Sequence, residues 1–472
     1  MVENKLLELY KNYIETDTGS ITKLPGSGSY RTYYRIQGKE GTVIGVHNED
    51  DRDNEAFISF TRQFRIAGLP VPEVLATDLA NGIYLLSDLG DTTLFQLLSE
   101  KRSSADSFPP EIVEIYKKAI GWLPIFQVKA GKGLDYSVCY PRAAFDRQSM
   151  LWDLNYFKYY FLKLAKVPFD EQALEDDFNT FTEFLVSADS EFFLFRDFQS
   201  RNIMVLDGEP WFIDYQGGRK GALQYDVASL LTDAKADIPM EVRKELLYFY
   251  LNKLDEIYPV NREKFLASYY GFALIRILQA LGAYGFRGYY ENKPHFLQSI
   301  PFALRNLRYL REKSKIGFGL DTLMGVIDKM IEKPEFYQHH QAGSKLTVTI
   351  LSFSYRNPLP ADVSGNGGGF VFDCRALPNP GRFDEYKPLS GKDQPVIGFL
   401  KKESSVDEFL NHACSLVDQS VKNYIDRGFE NLMVSFGCTG GQHRSVYCAE
   451  ELAKYLSSKY KIKIVLNHSN IE

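Results

Sequence analysis

FRDFQSRNIMVLDGEPWFIDYQGG, Phe195 to Gly218, is the stretch on which the reading of this chain turns. Asp197 is followed five residues later by Asn202. Asp207-Gly208 lies between two β-prone runs and is a two-residue hairpin signal, because the favoured hairpin turn needs positive φ at both central positions. The returning strand delivers Asp214. Phosphoryl transfer asks little of a protein: one group to orient the attacking hydroxyl, and ligands to hold a divalent cation on the phosphates. An Asp on a loop, with an Asn and a second Asp on the adjoining hairpin, supplies that set.

Upstream, ITKLPGSGSYRTYYRIQ, GKEG and TVIGVHN read as strand, Gly-Ser turn, strand, tight turn and strand. A helix is predicted from Asp53 to Ala67, and IYLLSDLG reads as a strand ending at Gly90. From about Pro110 the period becomes helical, with Ile112, Ile115, Ala119 and Leu123 on one face. Aromatic-rich helices continue to about Lys333, broken by a β segment from Glu191 to Gln216. KPEFYQHHQAGSK, Lys333 to Lys345, is polar and aperiodic and reads as a linker. After it come the strands LTVTILSFSY and FVFDCR, a helix from Ser405 to Arg427, the strand NLMVSFGC, a helix from His443 to Tyr460, and the strand KIKIVLNH. Ser405 and Glu408 fit a capping box, and Gly428 fits a helix stop. Strands alternating with helices predict a parallel sheet.

The chain has 472 residues and a net charge of −6, which argues against bulk attraction to nucleic acid or anionic membrane. Its five Cys are odd in number and form no CxxC, so a reducing, cytoplasmic setting is expected. The N-terminus MVENKLLELYKNY carries charges where a signal peptide would be apolar, and no apolar run suggests a membrane span. The seven His include the pair His339-His340 in the linker and show no zinc-site spacing.

D-x-x-x-x-N, then an IDY strand, then YDVASLL at Tyr225 to Leu231, resembles the aminoglycoside-phosphotransferase family of kinases over roughly residues 1 to 330. The resemblance implies an α+β, protein-kinase-like bilobal domain that uses ATP and Mg2+. It makes Asp197 the catalytic base, Asn202 and Asp214 the magnesium ligands, and Asp226 the buried acid that braces the loop. It also assigns the nucleotide to Gly26, Ser27, Gly28 and Ser29, with Glu55 and Asp88. Two departures stand out. The strand lysine that would pair with Glu55 is missing, since TVIGVHN offers only Val46 or His47, and Arg31 or Arg35 on the preceding strand could substitute. Phe195 stands where the family's loop often carries His. RDFQSRNIMV and NEAFISFTRQFRIAGLPVPEVLATDLANGIYLLSDLGDTTL are similar to anomeric amino-sugar kinases, which act on N-acetylmuramate and N-acetylglucosamine in cell-wall recycling. That implies a sugar substrate near Trp152, Asn155 and Tyr156; the same residues equally read as an aromatic helix in the core.

VSFGCTGGQHRSVYCAEELAKYL is a strand, a Gly-rich turn and a helix, which together expose backbone N–H groups to an anion. Thr439, Gly440, Gly441, His443, Arg444 and Ser445 provide close approach and donors. Two readings stay open. Cys438 and Arg444 fit C-x5-R-S, the loop of cysteine phosphatases. GCTGGQHRSV with DCRALPNP and KPLSGKDQPV is also very similar to the RapZ C-terminal domain, over about residues 346 to 472. That resemblance implies binding of glucosamine-6-phosphate, with Asp373 and Arg375 bracing the pocket, and a small-RNA partner. The chain departs from it at Gly381, where the family has a pocket His, and in lacking a basic tail and a Walker motif. Acidic and basic residues balance across 346–472, which argues against RNA.

The expected organisation is therefore a kinase domain at 1–332, a linker at 333–345, and a small α/β Rossmann-like domain at 346–472. The expected function is phosphorylation of an amino sugar, with a sugar-phosphate effector on the second domain. An inactive adapter that relays a sugar phosphate to an RNA or protein is the alternative.

Overall fold

The computed structural model describes all residues except 1, 15–18, 26–30, 40, 103–107, 292, 314–318, 338–345, 363–368, 428, 461 and 472. Gly26 to Ser29, His339-His340 and Gly428 thus lie outside the described residues. The chain divides into two compact units, Met1–Glu291 with Ser299–Tyr337, and Gln338–Glu472 with Asn292–Gln298.

The first unit begins with a helix, Val2–Ile14, hidden from the sequence reading by its charged outer face. Leu6 and Tyr10, one turn apart, are buried against Tyr34, Ile36, Ile83 and Leu85. These belong to a five-stranded antiparallel sheet whose strands run in the order Ser20–Lys23, Thr32–Gly38, Gly41–His47, Ile83–Ser87 and Val74–Asp78. Side chains alternate across a strand, so Tyr33, Val46 and Tyr84, which are aligned across three strands, point to the opposite face. That face receives the helix Asp51–Ile66, whose Phe57 stacks on Tyr84 at 5.6 Å. Asp50 caps this helix by accepting from the Arg52 and Asp53 N–H groups, so that it begins at Asp51, two residues before the predicted start.

The stretch from Phe195 to Gly218 forms the hairpin Ile203–Leu206 and Glu209–Phe212, with Leu206 opposite Glu209. Asp207 and Gly208 have φ of 52° and 75°, as the two-residue turn requires. Two backbone ties fix it beneath the sheet. Val205 donates to the Thr92 carbonyl and Phe212 to the Pro70 carbonyl, both at 2.9 Å. The helical lobe is organised around Arg262–Gly285. Within the described residues, Arg262–Tyr290 is the one helical stretch long and apolar enough to cross a membrane, contrary to the expectation that none would be, and 67% of its apolar window is buried inside the structure. Its glycines explain that burial: a Cβ at Gly282 or Gly285 would fall 3.0 Å from Phe157 N or 2.0 Å from Tyr160 O, so neighbouring backbone presses against the helix. This is the pattern of a helix apolar all round at the centre of a core.

The second unit has a parallel sheet ordered Gly369–Asp373, Asn431–Cys438, Thr347–Ser354, Lys463–His468. The helices Gln394–Lys401, Ser404–Arg427 and Arg444–Lys459 complete it, around a core that includes Val348, Ile350, Val434, Phe436 and Leu452. The long helix starts at Ser404, so Ser405 lies in its first turn and does not form the expected cap. From the two central strands the chain departs in opposite directions along the sheet. Their carboxyl ends, Ser354 and Cys438, are in register and flank the crevice where such sheets bind ligands.

Candidate active site and candidate anion loop

The loop after the strand Phe192–Leu194 is held from below by Asp226. Its carboxylate accepts the Phe195 N–H at 2.7 Å and the Arg196 N–H at 3.0 Å, and Gln127 Nε2 approaches at 3.4 Å. Complete burial pushes Asp226 up to about 7 against the pull of these donors. Arg196, at φ 80°, places both guanidinium ends on Asp153 at 2.8 and 2.6 Å and donates to Tyr225 Oη at 2.8 Å. Phe195 is buried and meets Phe126, Phe198 and Tyr215 edge-on, at 5.8, 5.3 and 5.8 Å. An apolar ring thus supports the loop at the position where the resemblance implied His.

With its backbone fixed on both sides, Asp197 is presented half-exposed: its carboxylate is 43% exposed and stands 3.7 Å from Arg276. Asn202 Nδ2 donates to the Asp197 carbonyl at 2.8 Å and to Asp214 at 3.1 Å. The three residues singled out in the sequence are therefore neighbours. Asp214 sits at φ 67° and accepts from Gln216 Nε2 at 2.8 Å. Burial first, and the adjacent Asp197 charge second, raise its pKa. Tyr215, the next residue, stacks on Phe57 at 5.2 Å, and its hydroxyl meets Thr61 at 2.6 Å, locking the helix Asp51–Ile66 onto the hairpin.

Glu55 is exposed on that helix, and the acid turned inward is Asp53, two residues earlier. Asp53 pairs with Arg31 at 2.7 Å. Successive helix positions rotate by about 100°, so a two-residue offset puts Glu55 on the wrong face. The Asp88 side chain is occupied by Arg35, at 2.6 and 3.1 Å, and by the Gly90 N–H at 2.9 Å, so it braces the connection between the lobes. Trp152 is exposed beneath the Arg142 guanidinium, while Asn155 and Tyr156 are half-buried. Sequence reasoning missed Arg276. It lines a small pocket beside the loop with Gln199, Ser229, Thr232, Asp233 and Tyr284, and donates to Ser229 Oγ at 2.9 Å. A buried arginine inside an apolar helix was the available signal.

In the second unit, Thr439 and Gly440 are exposed at the tip of the turn, and no atom would obstruct a side chain at Gly440. Gly441, at φ 68°, is the position where the turn requires glycine. His443 Nε2 lies 2.8 Å from the Tyr386 carbonyl; since a carbonyl only accepts, Nε2 carries the proton and Nδ1 is left as an acceptor. Gly381 lies beside that Nδ1, where a Cβ would reach 3.5 Å, so the missing family His leaves space next to His443. Arg444 Nη1 donates to the carbonyls of Arg375 and Leu377 at 2.7 and 2.9 Å, and Nη2 lies 3.4 Å from Thr439 Oγ1. It ties the loop after Asp373 to the turn. Asp373 in turn chelates Arg375, whose guanidinium lies 3.9 Å from the Tyr355 ring centre. Burial would push the Cys438 thiol up, but hydrogen bonds from Ser445 and the Gly441 N–H, with the Arg444 charge, hold it below its usual value. The sulfur is buried and already engaged by Ser445 and the Gly441 N–H, which disfavours the phosphatase reading.

Comparison with known proteins adds the families. The phosphotransferase enzyme family profile matches residues 20–260, and that of the RapZ C-terminal domain matches residues 346–472. A "Nucleotide-binding protein" of Fervidobacterium nodosum is 30% identical over 267 residues, 52% of this chain and 86% of the relative. A protein of the same name from Glaesserella parasuis is 34% identical over 153 residues, 32% of this chain; the match spans about half of that relative, 51%. Among solved structures, the choline kinase LicA from Streptococcus pneumoniae aligns with 70% of this chain and 100% of its own, at 14% identity and a TM-score of 0.41. The chain belongs to the phosphotransferase enzyme family, with a RapZ C-terminal domain following the kinase-like unit.

Proposed function

We propose that the first unit transfers the terminal phosphate of ATP to a sugar hydroxyl, the anomeric hydroxyl of an N-acetyl amino sugar, and that the second unit binds an amino-sugar phosphate such as glucosamine-6-phosphate. The observation that carries the first half is the grouping of Asp197, Asn202 and Asp214 around a half-exposed carboxylate. Asp197 accepts the hydroxyl proton as the sugar oxygen bonds to the γ-phosphorus, and the bond from that phosphorus to the β–γ bridging oxygen breaks to release ADP. The fit to a divalent cation rests on two features of the site. Two carboxylates stand side by side, with burial and the Asp197 charge outweighing the Arg31 and Arg201 charges at Asp214, and Gln216 Oε1, next to Asp214, is buried with no hydrogen-bond partner among the described residues. Magnesium held by Asn202 and Asp214 would offset the charge of the phosphates when bound. Among the described residues no cluster of three His, Cys, Asp or Glu forms a metal cage, as suits an ion that takes its remaining ligands from substrate and water.

The pocket beside Asp197 presents Gln199, Ser229 and Thr232 with the cationic Arg276. Hydroxyl and amide groups there suit hydrogen bonding to a sugar hydroxyl, while Asp233 in the same lining balances the arginine charge. The open turn at Thr439 and Gly440 and the crevice between the central strands support a sugar-phosphate ligand on the second unit, with the His443 Nδ1 acceptor suited to one of the sugar's hydroxyl or amine donors. A cytoplasmic setting suits both ligands.

ATP consumption with magnesium over N-acetylglucosamine, N-acetylmuramate, glucosamine and an aminoglycoside, beside Asp197→Asn, tests the first half. Turnover with an N-acetyl sugar should fall by about 10²–10⁴ in the variant, the usual contribution of a general base. Turnover that survives the substitution removes Asp197 from the role. Calorimetry with glucosamine-6-phosphate tests the second half, and an absence of heat at millimolar ligand would remove it.

A further inference from the structure

Kinases commonly neutralise the nucleotide phosphates with a strand lysine held by a helix glutamate. In this chain the strand position is Val46, fully buried, and Glu55 faces solvent. The cleft nevertheless holds a buried cation. Arg31 is two residues before Tyr33, and Tyr33 is the cross-strand partner of Val46, so the three share the face turned to the helix Asp51–Ile66. A diagonal neighbour on an adjacent strand lies about 7–8 Å away, within reach of an arginine.

Four contacts orient Arg31, one of them a side-chain hydrogen bond with Tyr33. Its Nη2 pairs with Asp53 Oδ2 at 2.7 Å and reaches the Asp53 carbonyl at 3.4 Å, and its guanidinium lies 5.2 Å from the Phe57 ring centre. Asp53 and Phe57 are one turn apart on a helix that Tyr215 locks to the hairpin carrying Asp214. The side chain is 3% exposed, yet its Nε is buried with no hydrogen-bond partner among the described residues. A buried guanidinium N–H without a partner is costly, so a missing acceptor is to be sought. Arg35, the other candidate, is excluded by its bonds to Asp88 and Asp91.

We infer that Arg31, anchored by Asp53, is the residue that binds the nucleotide phosphates in place of the missing strand lysine. The inference rests on the kinase reading above. It makes the absent lysine a relocation of charge by one strand and removes the main argument for an inactive adapter.

Calorimetry with the full chain, magnesium, and ADP or adenosine as probes tests it without any need for turnover. Wild type should bind ADP more tightly than adenosine. Arg31→Met should weaken ADP at least tenfold and leave adenosine unchanged, and adding Val46→Lys to that variant should restore part of the loss. Asp53→Asn, which leaves the arginine in place but unanchored, should weaken ADP at least threefold, and it serves if Arg31→Met melts early. Unchanged ADP affinity in both variants overturns the inference alone, as does an equal loss of ADP and adenosine, which marks a structural role. A wild-type chain that binds neither probe overturns the kinase reading together with it.

Discussion

The Arg196–Asp153 pair offers a direct measure of how firmly the loop carrying Asp197 is held. Arg196 precedes Asp197 and adopts φ 80°, a region that costs a non-glycine residue roughly 1–2 kcal/mol. The surroundings must outweigh that strain. They consist of the two-ended ion pair, the Tyr225 hydroxyl, and the faces of Phe145 and Tyr225 at 4.8 and 5.3 Å from the guanidinium. The side chains are 17% and 11% exposed, so removing one partner strands a largely desolvated charge. Such removals cost about 3–5 kcal/mol, and the residual access to water places Arg196→Met and Asp153→Leu near 3 kcal/mol each. The double variant strands nothing. It loses the aromatic contacts, at about 0.5–1 kcal/mol each, and the loop strain is no longer opposed. It should be destabilised by about 3 kcal/mol, which leaves a coupling of about 3 kcal/mol between the sites.

Urea denaturation of the full chain, followed by tryptophan fluorescence, reads this energy from the first unit, because Trp122, Trp152 and Trp211 all lie there. A coupling below about 0.5 kcal/mol, or single variants as stable as wild type, would refute the argument that this pair holds the loop.

Gly441→Ala should weaken glucosamine-6-phosphate by at least fivefold in calorimetry, because φ 68° strains alanine and its Cβ would lie 2.4 Å from Asn470 Oδ1; unchanged affinity would detach the turn from ligand binding. Burial lowers the His468 pKa, with Lys392 adding to the effect and Glu450 opposing it, so the folded second unit takes up this proton less readily than the unfolded chain. The neutral ring's contribution is therefore full above the unfolded value of about 6.5 and is lost as pH falls below it. His468→Gln should flatten the melting-temperature profile of the full chain between about pH 5 and 6.5, and a profile as steep as wild type would refute the assignment. Arg276→Gln should lower kcat/KM for the sugar by up to about tenfold, since the Asp197 contact is partly solvated, and should leave ADP affinity unchanged; a loss confined to ADP would place Arg276 on the nucleotide side.

What the sequence reveals of the site is what is local in the chain. The Asp207-Gly208 turn fixes its hairpin because its two φ values are set by neighbouring residues, and the hairpin then carries Asn202 and Asp214 together whatever surrounds it. The anion turn after Cys438 is legible for the same reason. Partners chosen by packing are not. Arg276 meets Asp197 only because its helix is buried on all sides, and the Arg444 carbonyl partners come from the other side of a crossover. Whether Asp53 or Glu55 faces the cleft depends on the rotation of one helix, which Phe57 and Tyr215 set through a stacking contact that no spacing rule encodes. A motif search asks whether lysine occupies one strand position. The physical requirement is positive charge on one face of a sheet, and an adjacent strand whose side chains share that face can satisfy it equally well. The absence of the lysine is therefore weak grounds for inactivity until every residue on that face has been examined, and Arg31 is the residue such a search finds here.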